Sequence, residues 1–237
     1  MPGLIIDIYG SVAVIQTHTV GMHEQKQHFV TVLKKLYGTS LEAIYDKSAE
    51  TMSKQNALEM ENNFLFGSQT ESEVFENDIK FYVNWVEGQK TGFFIDQREN
   101  RKLLANFSKG KKVLNTFSYS GGFSMYALAA GASEVHSVDS SKRACELAMR
   151  NAELNEVTNR HVVHAVDAFD FLKSTEENYD IVILDPPAFA KHLSSVDKAM
   201  IGYRNLNTEG FKKVKPGGLL FTFSCSQVID KTLFRKV

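Results

Sequence analysis

The sequence predicts an α/β protein in which a small α+β domain, residues 1–90, precedes a doubly wound, Rossmann-like parallel sheet, residues 91–237. Two observations predict this fold class. After about Thr91, strand-like and helix-like segments alternate, as they do in repeated β-α-β units. In addition, the strand-like segments of this second part end in polar residues, at the edge where such a sheet binds ligands.

The first part combines short strand patterns with one helical pattern. Tyr9-Gly10 separates two β-rich runs and predicts a hairpin, Gly38 ends the helical pattern, and Asn77-Asp78 predicts a second turn. In chain order we predict strands over residues 4–8 and 11–16, a helix from Met22 to Tyr37, a linker or loosely packed helix over 48–69, and strands over 73–76 and 80–87.

The second part alternates regularly. The apolar run at 179–184 is typical of a parallel strand that is covered on both faces, and Ser140 or Ser141 is the expected N-cap of the helix that follows. We predict strands over residues 113–117, 134–138, 161–166, 179–184 and 219–224, helices over 123–130, 142–154 and 197–214, and a helical turn over 168–172.

Composition excludes several classes of protein. The two cysteines, Cys145 and Cys225, form neither a disulfide framework nor a metal-binding spacing, which favours a reducing cytoplasm and no metal. No apolar run reaches the roughly 18 residues of a membrane span, so we expect no membrane partner. With 27 basic and 28 acidic residues, the net charge of −1 carries no global signature of nucleic-acid binding.

One local cluster of positive charge interrupts this balance. Glu99 is the only acid among six cations, a pattern that indicates either a solvated helix face or a phosphate-contacting patch. Charge alone favours the solvated face. The cations are Arg98, Arg101, Lys102, Lys109, Lys111 and Lys112.

Polar residues at five strand ends predict a nucleotide site. Asp139 lies 18 residues after Gly121, where it could accept hydrogen bonds from both hydroxyls of a ribose. Each feature alone is more often a tight turn or a helix cap, but the combination favours a nucleotide. The five ends are Ser118-Tyr119-Ser120-Gly121-Gly122-Phe123, Asp139, Asp167, Asp185-Pro186-Pro187 and Ser224-Cys225-Ser226.

The glycine loop also indicates which nucleotide binds. Gly121 and Gly122 do not form the G-x-G-x-x-G spacing that seats a pyrophosphate, and no G-x-x-x-x-G-K-[ST] phosphate loop occurs. The ligand therefore has a ribose but needs no phosphate cradle. S-adenosylmethionine meets this description, because an amino-acid tail and a sulfonium replace the phosphates.

Five segments together resemble a known family. GFFIDQRENR (92–101), VLNTFSYSGGFS (113–124), VDSS (138–141), LDPPAF (184–189) and FSCS (223–226) are similar to the class I methyltransferases that form 5-methylcytosine in bacterial 23S rRNA. Residues 1–90 resemble that family's central, RNA-recognition domain. The RNA-binding barrel that usually precedes it and the closing strand pair of the sheet have no counterpart here, so we expect a piece of a longer protein.

The resemblance implies a cofactor site. The glycine loop would contact the methionine moiety, Asp139 and the adjacent Ser140 would hold the ribose, and Asp167 with Ala168 would bind the adenine. The remaining implied cofactor residues are Asp96, Arg98 and Arg101, which would line the site from outside the sheet, the loop residues Phe117, Ser118, Tyr119, Gly122 and Phe123, and Asp185.

The reaction on cytosine requires a covalent step. Carbon 5 is a poor nucleophile until a thiolate adds to carbon 6, and Cys225 is the candidate thiolate. Asp185 would bind N3 and the exocyclic amine, while Phe189, and Tyr119 as a second candidate, would stack on the extruded base. Cys145 is expected to be a small buried residue. The remaining substrate-binding candidates are Pro186, Pro187 and Lys191.

Alternatives stay open at this stage. Pro187-Ala188 stands where some RNA 5-methylcytosine enzymes carry a second cysteine, so the group that removes the carbon 5 proton is unassigned. Asp-Pro-Pro followed by an aromatic is also typical of enzymes that methylate a purine nitrogen, although Phe189 comes one residue late. The third alternative is a non-catalytic RNA-binding module. The expected partner is RNA, specifically 23S rRNA, and the sequence is compatible with a homodimer.

Overall fold

The computed structural model describes residues 2–51 and 60–237. It divides into two compact units, Met1–Asp96 and Gln97–Val237. The boundary falls six residues beyond the predicted one and within the D-Q-R-E-N-R segment. In the described ranges no helix is long and apolar enough to cross a membrane.

The first unit contains a four-stranded sheet and a two-stranded ribbon. The sheet has the order β1-β2-β3-β4, in which β2 and β3 are parallel and the outer pairs are antiparallel. Parallel neighbours need a crossover, and two helices supply it. The elements are β1 (Leu4–Tyr9), β2 (Val12–Thr17), α1 (Val20–Glu24), α2 (Lys26–Tyr37), β3 (Ala43–Asp46), β4 (Asn63–Phe66), β5 (Glu71–Glu76) and β6 (Ile79–Asn84).

The predicted hairpin and the predicted second turn are both confirmed. β1 and β2 pair around Gly10, whose φ of 58° lies in the left-handed region. β5 and β6 pair around Asn77 and Asp78, with φ of 48° and 66°. Two consecutive left-handed residues are the requirement of the turn type that matches the twist of a hairpin, and Asn and Asp tolerate it.

The structure of the first unit differs from the predictions in three places. The helix predicted from Met22 to Tyr37 is two helices separated at Gln25, although it ends at Gly38 as expected. The short buried strand Ala43–Asp46 was not predicted, because four residues are too few to show a period. Asn63–Phe66, within the predicted linker or helix, is a strand that pairs with β3. Residues 52–59 of that segment lie outside the described residues.

The second unit has the predicted doubly wound α/β fold. Its five strands are all parallel, in the order β11-β10-β7-β8-β9. The elements are α3 (Arg98–Ser108), β7 (Lys112–Thr116), α4 (Gly122–Ala129), β8 (Glu134–Asp139), α5 (Lys142–Leu154), β9 (His161–Ala165), α6 (Ala168–Ser174), β10 (Tyr179–Leu184), α7 (Val196–Lys212), β11 (Val214–Thr222) and α8 (Lys231–Phe234).

The last strand differs most from its prediction. β11 begins at Val214 instead of residue 219, and its register against β10 shifts between Tyr179 and Ile181. Gly217, with a φ of 77°, lies in this irregular stretch. A glycine within a strand is typical of such an irregularity. Gly217 and Gly218, which precede the predicted strand, are therefore part of the observed one.

A line of polar side chains crosses the core of the second unit. Asn115 donates to Ser124 Oγ at 2.9 Å, Ser124 Oγ lies 2.6 Å from Ser137 Oγ, and Ser137 Oγ lies 2.7 Å from Nε2 of His161. Burial, with a smaller contribution from the nearby His136, lowers the pKa of His161 from 6.5 to about 4. The fold therefore holds this imidazole in its neutral form.

We expect this histidine to make folding stability depend on pH. Below about pH 6.5 the side chain of His161 becomes protonated in the unfolded chain, whereas in the folded chain this side chain stays neutral until about pH 4. The unfolded state thus binds more protons than the folded state in this pH window. The free energy of unfolding therefore falls by up to about 3 kcal/mol as the pH falls through the window. Urea unfolding at the two ends of the window measures the loss. His161→Gln should flatten this dependence, whereas His192→Gln, at an exposed histidine, should preserve it.

Candidate functional site

The carboxyl ends of the five parallel strands lie along one edge of the second unit. Thr116 at the end of β7 is in register with Val138 of β8 and with Leu184 of β10, and Leu184 is in register with Thr222 of β11. The residues that follow these strands therefore meet at one edge. This edge gathers the glycine loop, Asp139, Asp167, Asp185 and Cys225, as the sequence predicts.

The loop after β7 has an unusual backbone. Phe117, Tyr119 and Gly121 all have φ in the left-handed region, at 55°, 45° and 74°. Gly121 is the N-cap of α4, and a Cβ there would lie 3.1 Å from the Cβ of Ala148 on α5. Only glycine adopts this conformation without strain and leaves room for α5. A non-glycine residue with φ in the left-handed region is strained, and the strain persists only where the surrounding structure enforces it. Such residues cluster at ligand sites.

Asp139 fixes the glycine loop to the next strand end. Its Oδ2 accepts a hydrogen bond from the backbone N–H of Tyr119 at 2.9 Å, and its Oδ1 accepts one from Ser141 at 2.9 Å. The carboxylate is therefore oriented before any ligand binds, and it keeps further lone pairs. Ser141, not the neighbouring exposed Ser140, is the N-cap of α5.

Asp167 forms a helix cap. Its Oδ1 accepts from the backbone N–H groups of Phe169 at 2.8 Å and Asp170 at 3.2 Å, at the start of α6. This is the structural role that a lone aspartate after a strand usually has. Asp167 is exposed, and Oδ2 is the oxygen that does not cap the helix. Ala168, its neighbour, is buried.

The loop after β10 presents Asp185 to an amide that the sequence analysis missed. The carboxylate is half-buried, and Gln97 Nε2 donates to its two oxygens at 3.1 and 3.2 Å. Pro186 is buried, whereas Pro187 and Lys191 are exposed. No spacing rule connects residues 88 positions apart, so only the folded chain reveals this pair.

The two cysteines have different surroundings. Cys225 is exposed, and its thiol lies 3.7 Å from the backbone oxygen of Pro186. Cys145 is buried in α5 and donates to the backbone oxygens of Asp139 and His164. Burial, with a contribution from the Asp139 carboxylate, raises the pKa of the Cys145 thiol. Thiolate chemistry is thereby disfavoured at Cys145, which leaves Cys225 as the accessible thiol of the two cysteines.

A buried tyrosine, also missed by the sequence analysis, connects the loops after β10 and β11. The Tyr203 hydroxyl lies 2.9 Å from Ser226 Oγ and 3.0 Å from Ser224 Oγ. Ser226 Oγ in turn accepts from the backbone N–H of Ala190. The ring of Tyr203 packs against Phe189 with centroids 4.5 Å apart. Cys225 therefore lies between two serines whose hydroxyls are hydrogen-bonded to Tyr203. The ring of Phe189 is held by its packing against the same tyrosine.

Comparison with known proteins identifies the family. A family model described as S-adenosylmethionine-dependent methyltransferase matches residues 10–233. The chain belongs to this methyltransferase family. Its cofactor is therefore S-adenosylmethionine, as the glycine loop predicted.

Individual relatives agree with this family. The chain is 37% identical over 244 residues to ribosomal RNA large subunit methyltransferase I of Aeromonas salmonicida, and 38% identical over 245 residues to the protein of the same name in Vibrio vulnificus. Each match covers 100% of this chain and 61% of the relative. SMU.776, described as a methyltransferase solved in complex with SAH, matches with a TM-score of 0.84 at 28% identity, over 99% of this chain and 60% of that one.

The glycine loop of the methyltransferase fits its cofactor. The hydroxyl of Ser118 is buried and has no hydrogen-bond partner among the described residues. An unsatisfied buried hydroxyl at such a loop is a group that a polar ligand atom can satisfy. The ring of Phe123 is buried and stacks on Phe223 with centroids 5.4 Å apart, and the place of Phe123 in the cofactor site remains a prediction. We expect only its backbone to face a ligand.

Of the six cations that the charge pattern grouped together, Arg101 is buried and Lys112 is half-buried in the methyltransferase. Arg101 is 2% exposed, and its guanidinium lies 5.8 Å from the ring centroid of Tyr126 on α4. Lys112 pairs with Glu134, at 3.3 Å, and with Glu177. Burial alone would lower the pKa of Lys112, but its hydrogen bonds to these carboxylates raise it. Arg98, Lys102, Lys109 and Lys111 remain exposed.

Two further expectations concern Asp96 as a cofactor residue and the absence of a metal. Asp96 belongs to the first unit and pairs with Lys90 at 2.9 Å, so its role toward the cofactor remains a prediction. Within the described ranges, Glu134, His136 and Glu177 form one group with metal-ligand spacing. Glu134 and Glu177, the two acids of this group, already form ion pairs with Lys112 at the amino-terminal edge of the sheet.

Proposed function

We propose that this methyltransferase forms 5-methylcytosine in large-subunit ribosomal RNA through a covalent adduct with Cys225. One observation carries the proposal: an exposed thiol lies beside the Asp185-Pro186 backbone at the edge where the cofactor loop ends. Enzymes that methylate a nitrogen need no thiol at this place. The chain spans about 61% of the length of its curated relatives, and their names indicate the RNA substrate.

The residues of the cofactor site have distinct proposed roles. The loop around Gly121 would hold the methionine moiety, Asp139 would accept hydrogen bonds from the ribose hydroxyls, and Asp167 would accept one from the adenine amine. Bound S-adenosylmethionine supplies an electrophilic methyl group on its sulfonium. The oriented Asp139 carboxylate and the unsatisfied Ser118 hydroxyl support this arrangement.

The chain's own residues then act on the base. Cys225 Sγ bonds to carbon 6 of cytosine, and the electron pair of the carbon 5–carbon 6 bond becomes available at carbon 5. Asp185 accepts a hydrogen bond from the exocyclic amine and stabilises the charge that develops on the ring. After carbon 5 has gained its methyl group, a base removes its proton, the electron pair of that carbon–hydrogen bond re-forms the double bond, and the carbon–sulfur bond breaks to return the Cys225 thiolate. Phe189 contributes a ring at the same edge, on which the extruded base can stack.

The surface around this edge suits an RNA substrate. The segments that follow the two reacting residues carry exposed cations: Lys191 and Lys198 lie 6 and 13 positions after Asp185, and Lys231 and Arg235 lie 6 and 10 positions after Cys225. None of the four forms an ion pair within the described part of the chain. Unpaired cations beside a reactive edge are suited to phosphates on both sides of a target nucleotide. Such a substrate is consistent with a cytoplasmic location.

Mass spectrometry of ribosomal RNA nucleosides tests the proposed function. Large-subunit RNA from a strain that lacks the gene is incubated with the protein and S-adenosylmethionine, and the nucleosides are quantified. We expect a gain of 5-methylcytidine. A gain of a methylated guanosine or adenosine would instead assign purine-nitrogen methylation. Cofactor binding without any methylated nucleoside would support a non-catalytic RNA-binding module.

A further inference from the structure

The amide of Gln97 is held against the carboxylate of Asp185. Nε2 donates to Oδ1 at 3.1 Å and to Oδ2 at 3.2 Å. Gln97 occupies the N-cap position of α3, yet its side chain makes no capping hydrogen bond. A capping position normally uses its side chain on the helix itself. Here the side chain reaches the loop after β10 instead.

Asn100, one turn into α3, fixes the orientation of this amide. Asn100 Nδ2 donates to Gln97 Oε1 at 2.6 Å. An ionised carboxylate only accepts hydrogen bonds, so the nitrogen of Gln97 has to face Asp185, and its oxygen is left for Asn100. The three side chains therefore form a chain of hydrogen bonds that runs from Asn100 through Gln97 to Asp185. Rotating the Gln97 amide by 180° would place its oxygen against the Asp185 carboxylate, so the observed orientation is the favourable one.

The contact between Gln97 and Asp185 limits how the Asp185 carboxylate can rotate. A carboxylate rotates readily about its terminal bond, because that torsion has a broad minimum. A donor shared by both oxygens restricts the rotation, and the roughly four lone-pair sites of a carboxylate leave positions for a second donor. We propose that Gln97 is a positioning residue, which holds the Asp185 carboxylate in the plane that receives the exocyclic amine of the target base. This inference rests on the proposed role of Asp185 in base binding.

The first test compares side chains of similar length at position 97. Gln97→Met removes the donor and should lower kcat by about 10- to 100-fold, the range expected for a hydrogen bond to a charged group. The affinity for SAH, measured by calorimetry, should change by less than about twofold, since the cofactor loop is untouched. Glu99→Gln, on an exposed residue of the same helix, is the matched control and should keep the parental kcat.

The second test uses a pH profile that a purely structural glutamine would not alter. Gln97→Glu puts a second carboxyl group about 3 Å from Asp185, and the two cannot both ionise easily. Protonated, the new glutamate can donate as the amide does; ionised, it repels Asp185. The kcat of this variant, relative to the parent, should therefore rise as the pH falls. A ratio that does not change with pH would argue against a positioning role.

Asp185→Ala separates failure of this inference from failure of the proposed function. If Asp185→Ala keeps parental turnover, or the parent methylates no RNA, the proposed function fails. If Asp185→Ala loses turnover while Gln97→Met keeps it, only the positioning role fails. NMR tests the contact without turnover: the Gln97 side-chain amide protons, assigned by their loss in Gln97→Met, should resonate downfield of those of the exposed Gln227 and should return toward them in Asp185→Ala. Overlap of the two amide signals in the parent would overturn the inference.

Discussion

Replacement of Cys225 by alanine is expected to abolish methyl transfer while leaving cofactor binding intact. The thiol is exposed beside Pro186, away from the glycine loop in sequence, so its loss should not change the affinity for S-adenosylmethionine. Without the covalent adduct, carbon 5 stays a poor nucleophile, and we expect kcat to fall by about a thousandfold or more. Single-turnover assays with large-subunit RNA measure the chemical step.

A trapped intermediate provides the direct evidence for this mechanism. RNA that carries 5-fluorocytosine should form a stable covalent adduct with the parent protein, because fluorine at carbon 5 blocks the elimination that releases the cysteine. Cys145→Ala is the matched control, since this thiol is buried and donates hydrogen bonds to the backbone oxygens of Asp139 and His164. It should keep both turnover and adduct formation. Near-parental turnover of Cys225→Ala, with no adduct in the parent, would instead favour nitrogen methylation.

Replacement of Asp139 by alanine is expected to weaken S-adenosylmethionine binding by about 100-fold or more. The variant loses the charge-assisted hydrogen bonds proposed for the ribose, each of which is worth about 1.5–3 kcal/mol. It also frees the backbone N–H of Tyr119 and so loosens the glycine loop. Calorimetry with S-adenosylmethionine measures the affinity, and thermal unfolding shows how much of the loss comes from the loop.

Two further variants show how much of that loss in affinity comes from the charge of Asp139. Asp139→Asn keeps one acceptor without the charge, so we expect an intermediate loss of about tenfold. Glu146→Gln removes the same charge from an exposed position on α5 and should bind the cofactor as the parent does. Unchanged affinity in Asp139→Ala would mean that the ribose is held by another residue, and the proposed cofactor site would then be wrong.

Local patterns were sufficient for the α/β alternation of the second unit. The strand-like runs at 113–117 and 179–184 and the polar residues after them are short-range signals, because a strand covered on both faces is largely apolar. The same signals placed Asp139 and Asp185 at strand ends. They failed for Ala43–Asp46 and Asn63–Phe66, which are four residues each and become strands through pairing with each other.

The folded chain was needed for features that depend on distant partners. Sequence alone classed Arg101 with exposed cations, but α3 turns it inward toward Tyr126, and Lys112 meets Glu134 only because β7 and β8 pair in that register. The link between Gln97 and Asp185 spans 88 positions. Periodicity reports which face of an element is apolar, whereas the partner of a polar group depends on strand order and register. Those are set by packing of the whole sheet.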